Sequence, residues 1–250
     1  MLRRRILWIF YFAVFIKSST YGVMFTMLDD YRDEYGISES GLGLVLAIGF
    51  FSAFVGQIAL APLADRGHAK RMMLVGFAIV VVGCLMMGFG TSLPALLFGR
   101  VVMGVGGGMS MPALRKIVIV SDPDNLGGNM GRLLSVDIAG FALGPMLSAV
   151  LIGPFGLASP FIVISAIVIM VTLALSRVSV PETADEDKPS ERFAFDLLRI
   201  PAVSGAVLLG VALFVWRIRG GDRDVLTVTL PFPSLGRVPS PAGLIGRRRF

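Results

Sequence analysis

Cysteine and histidine are almost absent from these 250 residues, each occurring once. Cys84 lies inside an apolar run and His68 in a polar loop, so neither a disulfide framework nor a metal cluster of these residues is available. Charge is scarce as well. Only 16% of residues are charged against 55% hydrophobic, and the mean hydropathy of +0.79 lies outside the range of a soluble domain of this length. The net charge of +6 forms no basic face with interleaved aromatics, which argues against nucleic acid as a partner. No small-x-small cleavage site follows the first apolar run, and that run is too long for a signal-peptide core. No Gly-Lys-Ser/Thr follows the glycine cluster at Gly104–Gly108, which argues against a phosphate-binding loop. With no acid pair or Ser-Lys dyad in view, the expectation is a protein that is not an enzyme and uses no cofactor or metal.

What the chain has instead is a succession of apolar runs near the length of about 20 residues that a bilayer core requires. They fall at Ile6–Leu28, Gly41–Leu60, Met72–Gly90, Leu93–Leu114, Leu133–Ile152, Pro160–Leu175 and Pro201–Trp216. The expected fold class is an all-α membrane protein, with lipid as its surroundings. Lys and Arg alternate in density between these runs. With the amino terminus in the cytoplasm, Arg3–Arg5, Arg66, Lys70, Arg71, Arg115, Lys116, Arg132, Arg177, Lys188, Arg192 and Arg199 share that side, and Arg32 alone faces out. The outer segment Asp29–Glu39 is acidic. The asymmetry predicts a multi-pass protein of the cell membrane with a cytoplasmic amino terminus.

Three charges fall inside the spans. Lys17 lies about halfway along the first at a rise of roughly 1.5 Å per residue, beside Ser18, Ser19, Thr20 and Tyr21. Asp137 is the only acid between the ends of the fifth span. A pairing of Lys17 with Asp137 rests on both being intramembrane charges. Arg100, in the fourth span, costs at least about 2.5 kcal/mol on insertion scales unless it faces protein or water. It either serves the interior or snorkels to the outer interface, about two turns away.

Glycine is concentrated in the fourth and fifth spans. Gly104, Gly106 and Gly107, and Gly140 with Gly144 four residues on, allow helices to approach without side chains. Pro145 then removes a backbone donor and introduces a kink. Gly127–Gly131 reads as a turn entering the fifth span, and Gly153–Gly156 as the turn leaving it.

The densest charge is in the loop Ala61–Arg71, which holds Leu63, Ala64, Asp65, Arg66, Lys70 and Arg71 between the second and third spans. Anchoring helix ends accounts for Lys70 and Arg71, but anchoring needs no acid. A carboxylate there can accept from free N–H groups at a helix start or pair with a nearby Arg, a contact that one conformation makes and another breaks.

Three segments in order resemble the signatures of the major facilitator superfamily. Leu63, Ala64, Asp65, Arg66 and Lys70 fit its G-x-L-A-D-R-x-G-R-K loop, with Ala61 in place of the first glycine and Gly67 one position early. Arg100-Val101-Val102-Met103-Gly104-Val105-Gly106 is similar to R-x-x-x-G-x-G, and Gly140-Phe141-Ala142-Leu143-Gly144-Pro145 to the G-x-x-x-G-P of proton-coupled antiporters. The resemblance covers Met1 to Trp216. It implies a six-helix bundle of two three-helix repeats over residues 1–176, a cytoplasmic linker over 177–199, and a seventh helix over 200–216. It also implies a secondary transporter of the drug–proton antiporter type, exporting a small organic molecule against protons. Arg100 and Asp137 would then serve coupling, Lys17 the cavity, and Asp65 with Arg66 the cytoplasmic gate.

The tail, residues 217–250, departs from this pattern, being rich in Arg, Gly and Pro, without Lys, and without a run that could cross a bilayer. Three readings compete: a truncated or frameshifted transporter fragment that inserts without transporting, a half-transporter that pairs with a second copy, and a disordered basic tail. The abrupt change of composition after Trp216 favours the first.

Overall fold

Hydropathy marks where hydrocarbon is crossed, not where a helix stops, and the helices here run past their apolar cores. A computed structural model describes residues 2–180. The seventh span Pro201–Trp216, the tail from Arg217 and all but the first residues of the 177–199 linker lie outside the described residues. Within them are six α-helices: α1 (Leu2–Tyr35), α2 (Glu39–Leu63), α3 (Ala69–Phe89), α4 (Leu93–Ser121), α5 (Leu126–Phe155) and α6 (Ser159–Ser176). The stretches Leu7–Tyr35, Glu39–Phe89, Leu93–Ser121, Pro123–Phe155 and Ser159–Ser176 are long and apolar enough to cross a membrane, the second of them holding both α2 and α3.

The expected boundaries need correcting where polar residues favour helix. The acidic segment after Leu28 is not a loop: α1 continues to Tyr35, and only Gly36–Ser38 separate it from α2. Asp, Glu, Arg and Tyr all tolerate helix, so the helix ends at Gly36, whose φ of 63° leaves the right-handed region. Ser38 then caps α2, its Oγ accepting from the Gly41 N–H at 3.3 Å. Gly127–Gly131, expected as a turn, is the first part of α5. The turn expected at Gly153–Gly156 begins later, because Gly153, Pro154 and Phe155 are still helical.

Between α2 and α3 the backbone leaves helical geometry at Arg66 (φ −83°, ψ 19°) and Gly67 (φ 81°, ψ 10°). Only glycine enters that left-handed region without a steric penalty, so a glycine one place early in the loop is where the chain needs it.

Direction follows from contacts. Phe15 meets Gly140 and Val23 meets Gly144, so α1 and α5 run parallel; Gly49 meets Arg100 and Ala53 meets Gly108, so α2 and α4 do as well. Gly76 packs on Ser110 and Gly83 on Met103, which makes α3 antiparallel to α4. The principal packings are α1 with α5, α2 with α4, α3 with α4, α3 with α6 and α1 with α6. Exchanging α1, α2 and α3 for α4, α5 and α6 carries this set onto itself, as two three-helix repeats require. Tyrosines tie α1 to its neighbours near both ends. Tyr11 Oη donates to Asn129 Oδ1 of α5 at 3.0 Å, and Tyr31 Oη donates to the Met87 carbonyl of α3 at 2.9 Å.

Large apolar side chains remain on the outside, among them Phe51, Phe54, Ile138, Met146, Val150 and Phe155, each more than 60% exposed. In water such a surface would drive association, whereas in lipid it matches the solvent.

The α1–α5 contact gives a stability prediction. A Cβ at Gly140 would run into the Phe15 carbonyl, whereas one at Gly153 meets nothing within 4 Å. Gly140→Ala is expected to lose about 1–3 kcal/mol in detergent unfolding, as overpacked sites do, and Gly153→Ala to stay within about 0.5 kcal/mol of the parent. Equal stabilities for the two variants would contradict this packing.

Candidate functional site

Register between α1 and α5 decides the site. Asp137 precedes Gly140 by three residues, so both lie on the same face of α5, and Lys17 and Ser18 follow Phe15 on α1. Because Gly140 sits on the Phe15 carbonyl and Gly144 against Gly22 and Val23, the carboxylate lands beside the polar step of α1. Ser18 Oγ donates to Asp137 Oδ1, and Lys17 Nζ lies 3.7 Å from the same oxygen. The Lys17 side chain is 10% exposed and that of Asp137 29%. The structure therefore brings the two intramembrane charges together.

Their setting is a cavity of about 310 Å³. Its polar lining is Lys17, Ser18, Asp137, Gln57 and Arg115, and its apolar lining includes Tyr21, Phe50, Met111, Ile138 and Phe141. Gly107 and Gly108 form part of the wall, where a Cβ on Gly107 would strike the Tyr21 hydroxyl. Gly104 and Gly106 are contact points instead, the first against Ser52 and Gly49 of α2, the second against Gly76 and Val80 of α3. Pro145 lies against Gly22, one turn beyond the cavity-lining Phe141.

Arg100 does not snorkel. It is 0% exposed, its stem filling the space that a side chain at Gly49 would need. Its guanidinium lies 5.0 Å from the Tyr21 ring centre and 5.8 Å from that of Phe50, and Nη1 points at Met103 Sδ at 3.8 Å. Nε and Nη2 are buried without a hydrogen-bond partner, and no carboxylate among the described residues forms an ion pair with it. Arg100 is thus not joined to Asp137. It reaches the cavity through Tyr21, over whose ring Lys17 Nζ also sits, at 5.3 Å.

The Ala61–Arg71 loop lies away from the cavity and divides by role. Asp65 pairs with Lys116 of α4, Nζ to Oδ1 3.2 Å, and not with Arg66 beside it. Lys70 Nζ donates to the Ser176 carbonyl at the end of α6 at 2.9 Å, where a cation satisfies a free carbonyl and the helix dipole. Ala64 is buried, while Leu63, Arg66 and Arg71 are exposed.

Sequence reasoning used Arg115 and Lys116 for topology alone and gave Gln57, Phe50 and Phe141 no role. None carries a local signal, because each acquires its neighbours by helix packing. Asn129, which joins Tyr11 to the Asp122 carboxylate through Nδ2 at 2.8 Å, was hidden in a segment that reads as a turn. Among the described residues no three His, Cys, Asp or Glu gather as a metal site would require.

Comparison with known proteins agrees with this architecture. The chain is 25% identical to the multidrug resistance protein MdtG of Proteus mirabilis, over 98% of its own length and 65% of that protein. It is 27% identical to the quinolone resistance protein NorA of Staphylococcus aureus, over 56% of this chain and 36% of the relative. The chain thus spans less than two thirds of the curated relatives it matches. Among solved structures, the human organic anion transporter MFSD10 superposes with a TM-score of 0.58 at 21% identity, covering 68% of this chain and 40% of that one. A POT family transporter superposes with a TM-score of 0.61 at 18% identity, covering 88% and 48%. The sequence profile of the Major Facilitator Superfamily matches residues 7–237, continuing past Trp216. With six packed helices, an inward-facing charge pair and a profile match over most of its length, this chain belongs to the major facilitator superfamily.

Proposed function

We propose that this chain works as a proton-coupled secondary transporter that exports a small organic solute by alternating access. The observation that carries the reading is the Lys17–Asp137 pair with Ser18, set in a cavity of about 310 Å³ between α1, α2, α4 and α5. Protonating Asp137 would remove the counter-ion of Lys17 and change the cavity charge by one. A solute that binds the two charge states with different affinity is coupled to the proton. Arg100, held over Tyr21, adds positive potential to the same wall. Export as the direction is supported by the names of MdtG and NorA as resistance proteins.

Asp65 with Lys116 forms the gate contact in this reading. It ties the α2–α3 turn to α4, and Arg66, Lys70 and Arg71 follow Asp65 in the same turn. The same end of the bundle carries Arg115, Arg132 and Arg177, and the opposite end Asp29, Asp30, Asp33, Glu34 and Glu39. By the positive-inside rule this asymmetry supports a cytoplasmic Asp65 end and amino terminus. The relatives' greater length leaves room for a second bundle, supplied by further chain or by a second copy.

Flux into or out of proteoliposomes under an imposed pH gradient, with a quinolone as trial solute, tests the reading. Gradient-driven flux is expected from the parent, and Lys17→Ala and Asp137→Ala are each expected to reduce it at least about tenfold, a barrier change of about 1.4 kcal/mol. Parental flux in both variants would end the assignment of this pair. A correctly inserted parent with no gradient-driven flux of any trial solute would favour a chain that inserts without transporting.

The gate contact has a smaller expected effect, because the Asp65 side chain is 66% exposed and exposed pairs are worth about 0.2–1 kcal/mol. Asp65→Asn and Lys116→Gln should each slow exchange by about 1.4- to fivefold, and the double variant should be no slower than either single one. Additive losses would show that the two residues act separately.

A further inference from the structure

The charges lining the cavity do not cancel. Lys17 and, at the exposed basic end, Arg115 line the cavity with a single acid, Asp137, and Arg100 stands behind the Tyr21 wall with no carboxylate partner among the described residues. The pairing that does exist is incomplete. Ser18 takes the near oxygen of Asp137, and Lys17 Nζ stays 3.7 Å away, beyond hydrogen-bond distance. An ammonium has three donors to satisfy, and Lys17 Nζ has one carboxylate, that of Asp137, and the face of Tyr21 at 5.3 Å. A cationic excess in an apolar wall is stabilised by an anion entering from outside the protein.

The rest of the cavity specifies the body of that anion. Phe50, Phe141, Met111 and Tyr21 offer aromatic and thioether surface in the same cavity as the ammonium, and a volume of about 310 Å³ suits a small single-ring molecule. We propose that the solute bound here is an amphipathic organic anion, its carboxylate on Lys17 and its apolar ring among Phe50, Phe141 and Met111. This rests on the reading of the cavity as the solute site and not on the direction of flux or on proton coupling. A cationic solute would meet two cations and one acid already engaged, and a neutral one would leave the cationic excess of the cavity unbalanced. The carboxylate of the solute takes the place of Asp137 beside Lys17. Asp137 is therefore a competitor for the ammonium, and neutralising it frees Lys17 for the solute.

Equilibrium binding to the purified full chain in nanodiscs tests this with three radiolabelled probes of one shape: phenylacetate, phenylacetamide and phenethylammonium. Phenylacetate is expected to bind about tenfold or more tightly than either of the others, the scale of a charge-assisted hydrogen bond. Lys17→Gln should remove that preference and Lys17→Arg should keep it. Asp137→Asn should tighten phenylacetate severalfold, a gain that mere loss of packing would not produce. Gel filtration and thermal unfolding confirm that each variant is folded. The proposal is overturned if phenethylammonium binds as well as phenylacetate, if folded Lys17→Gln retains the preference, if Asp137→Asn weakens phenylacetate, or if folded parent binds no probe. Preferential phenylacetate binding by protein that shows no gradient-driven flux would uphold the anion site and sink the transport reading. Gradient-driven flux of cations alone would do the reverse.

Discussion

Lipid gives helices no hydrophobic reason to associate, so close backbone contact has to hold this bundle together. The seam of α1 and α5 shows how much follows from that constraint. Gly140 on the Phe15 carbonyl and Gly144 against Gly22 and Val23 set both the distance and the register of the two helices. Register then delivers Asp137 to Ser18 and Lys17, and the cavity opens beside them. The second seam, α2 on α4, repeats the arrangement with Gly49, Gly104 and Gly108, and its product is the burial of Arg100. Two polar features are thus placed by positions that have no side chain.

Charge is handled differently at each depth. At the ends of the helices, where water is near, Asp65 meets Lys116, Lys70 meets the last carbonyl of α6, and Arg32 meets Asp29, Asp33 and Glu39. Halfway along α1, Lys17 has one carboxylate at 3.7 Å and the face of Tyr21. Arg100 has aromatic faces and a thioether but no anion. An aromatic quadrupole stabilises a cation by about 0.5–2 kcal/mol, which offsets part of the desolvation cost and leaves the remainder uncompensated. Both cations converge on Tyr21, the ring they share.

How much was legible depended on whether a signal was local. The apolar runs located all six described helices, since each must span the same thickness of hydrocarbon. Their ends were misplaced wherever polar residues favour helix, as after Leu28 and before Leu133. The Lys17–Asp137 contact was open to inference because intramembrane charges are few and expensive, so the number of conceivable partners was small. Asp65 with Lys116 was not, because the basic end holds many cations and only packing selects among them. For Arg100 the sequence allowed two directions: nearness to the interface pointed outwards and the family resemblance inwards. The glycine at position 49, on a different helix, decided it by leaving room for the guanidinium stem.

The sequence alone determined the solvent of this protein, the number and order of its described spans, the end at which positive charge collects, and the family signatures at Asp65, Arg100 and Gly140–Pro145. These are properties of segments, and hydropathy, charge and short spacing encode them directly. The tertiary structure alone decided that Asp65 meets Lys116, that Tyr21 lies under two cations, and that Gln57, Arg115 and Phe141 share one cavity. The Asp65–Lys116, Arg100–Tyr21 and Lys17–Asp137 contacts join residues 51, 79 and 120 positions apart, and they arise from the register of packed helices, where a shift of one residue turns a side chain by about 100° and removes it from the site.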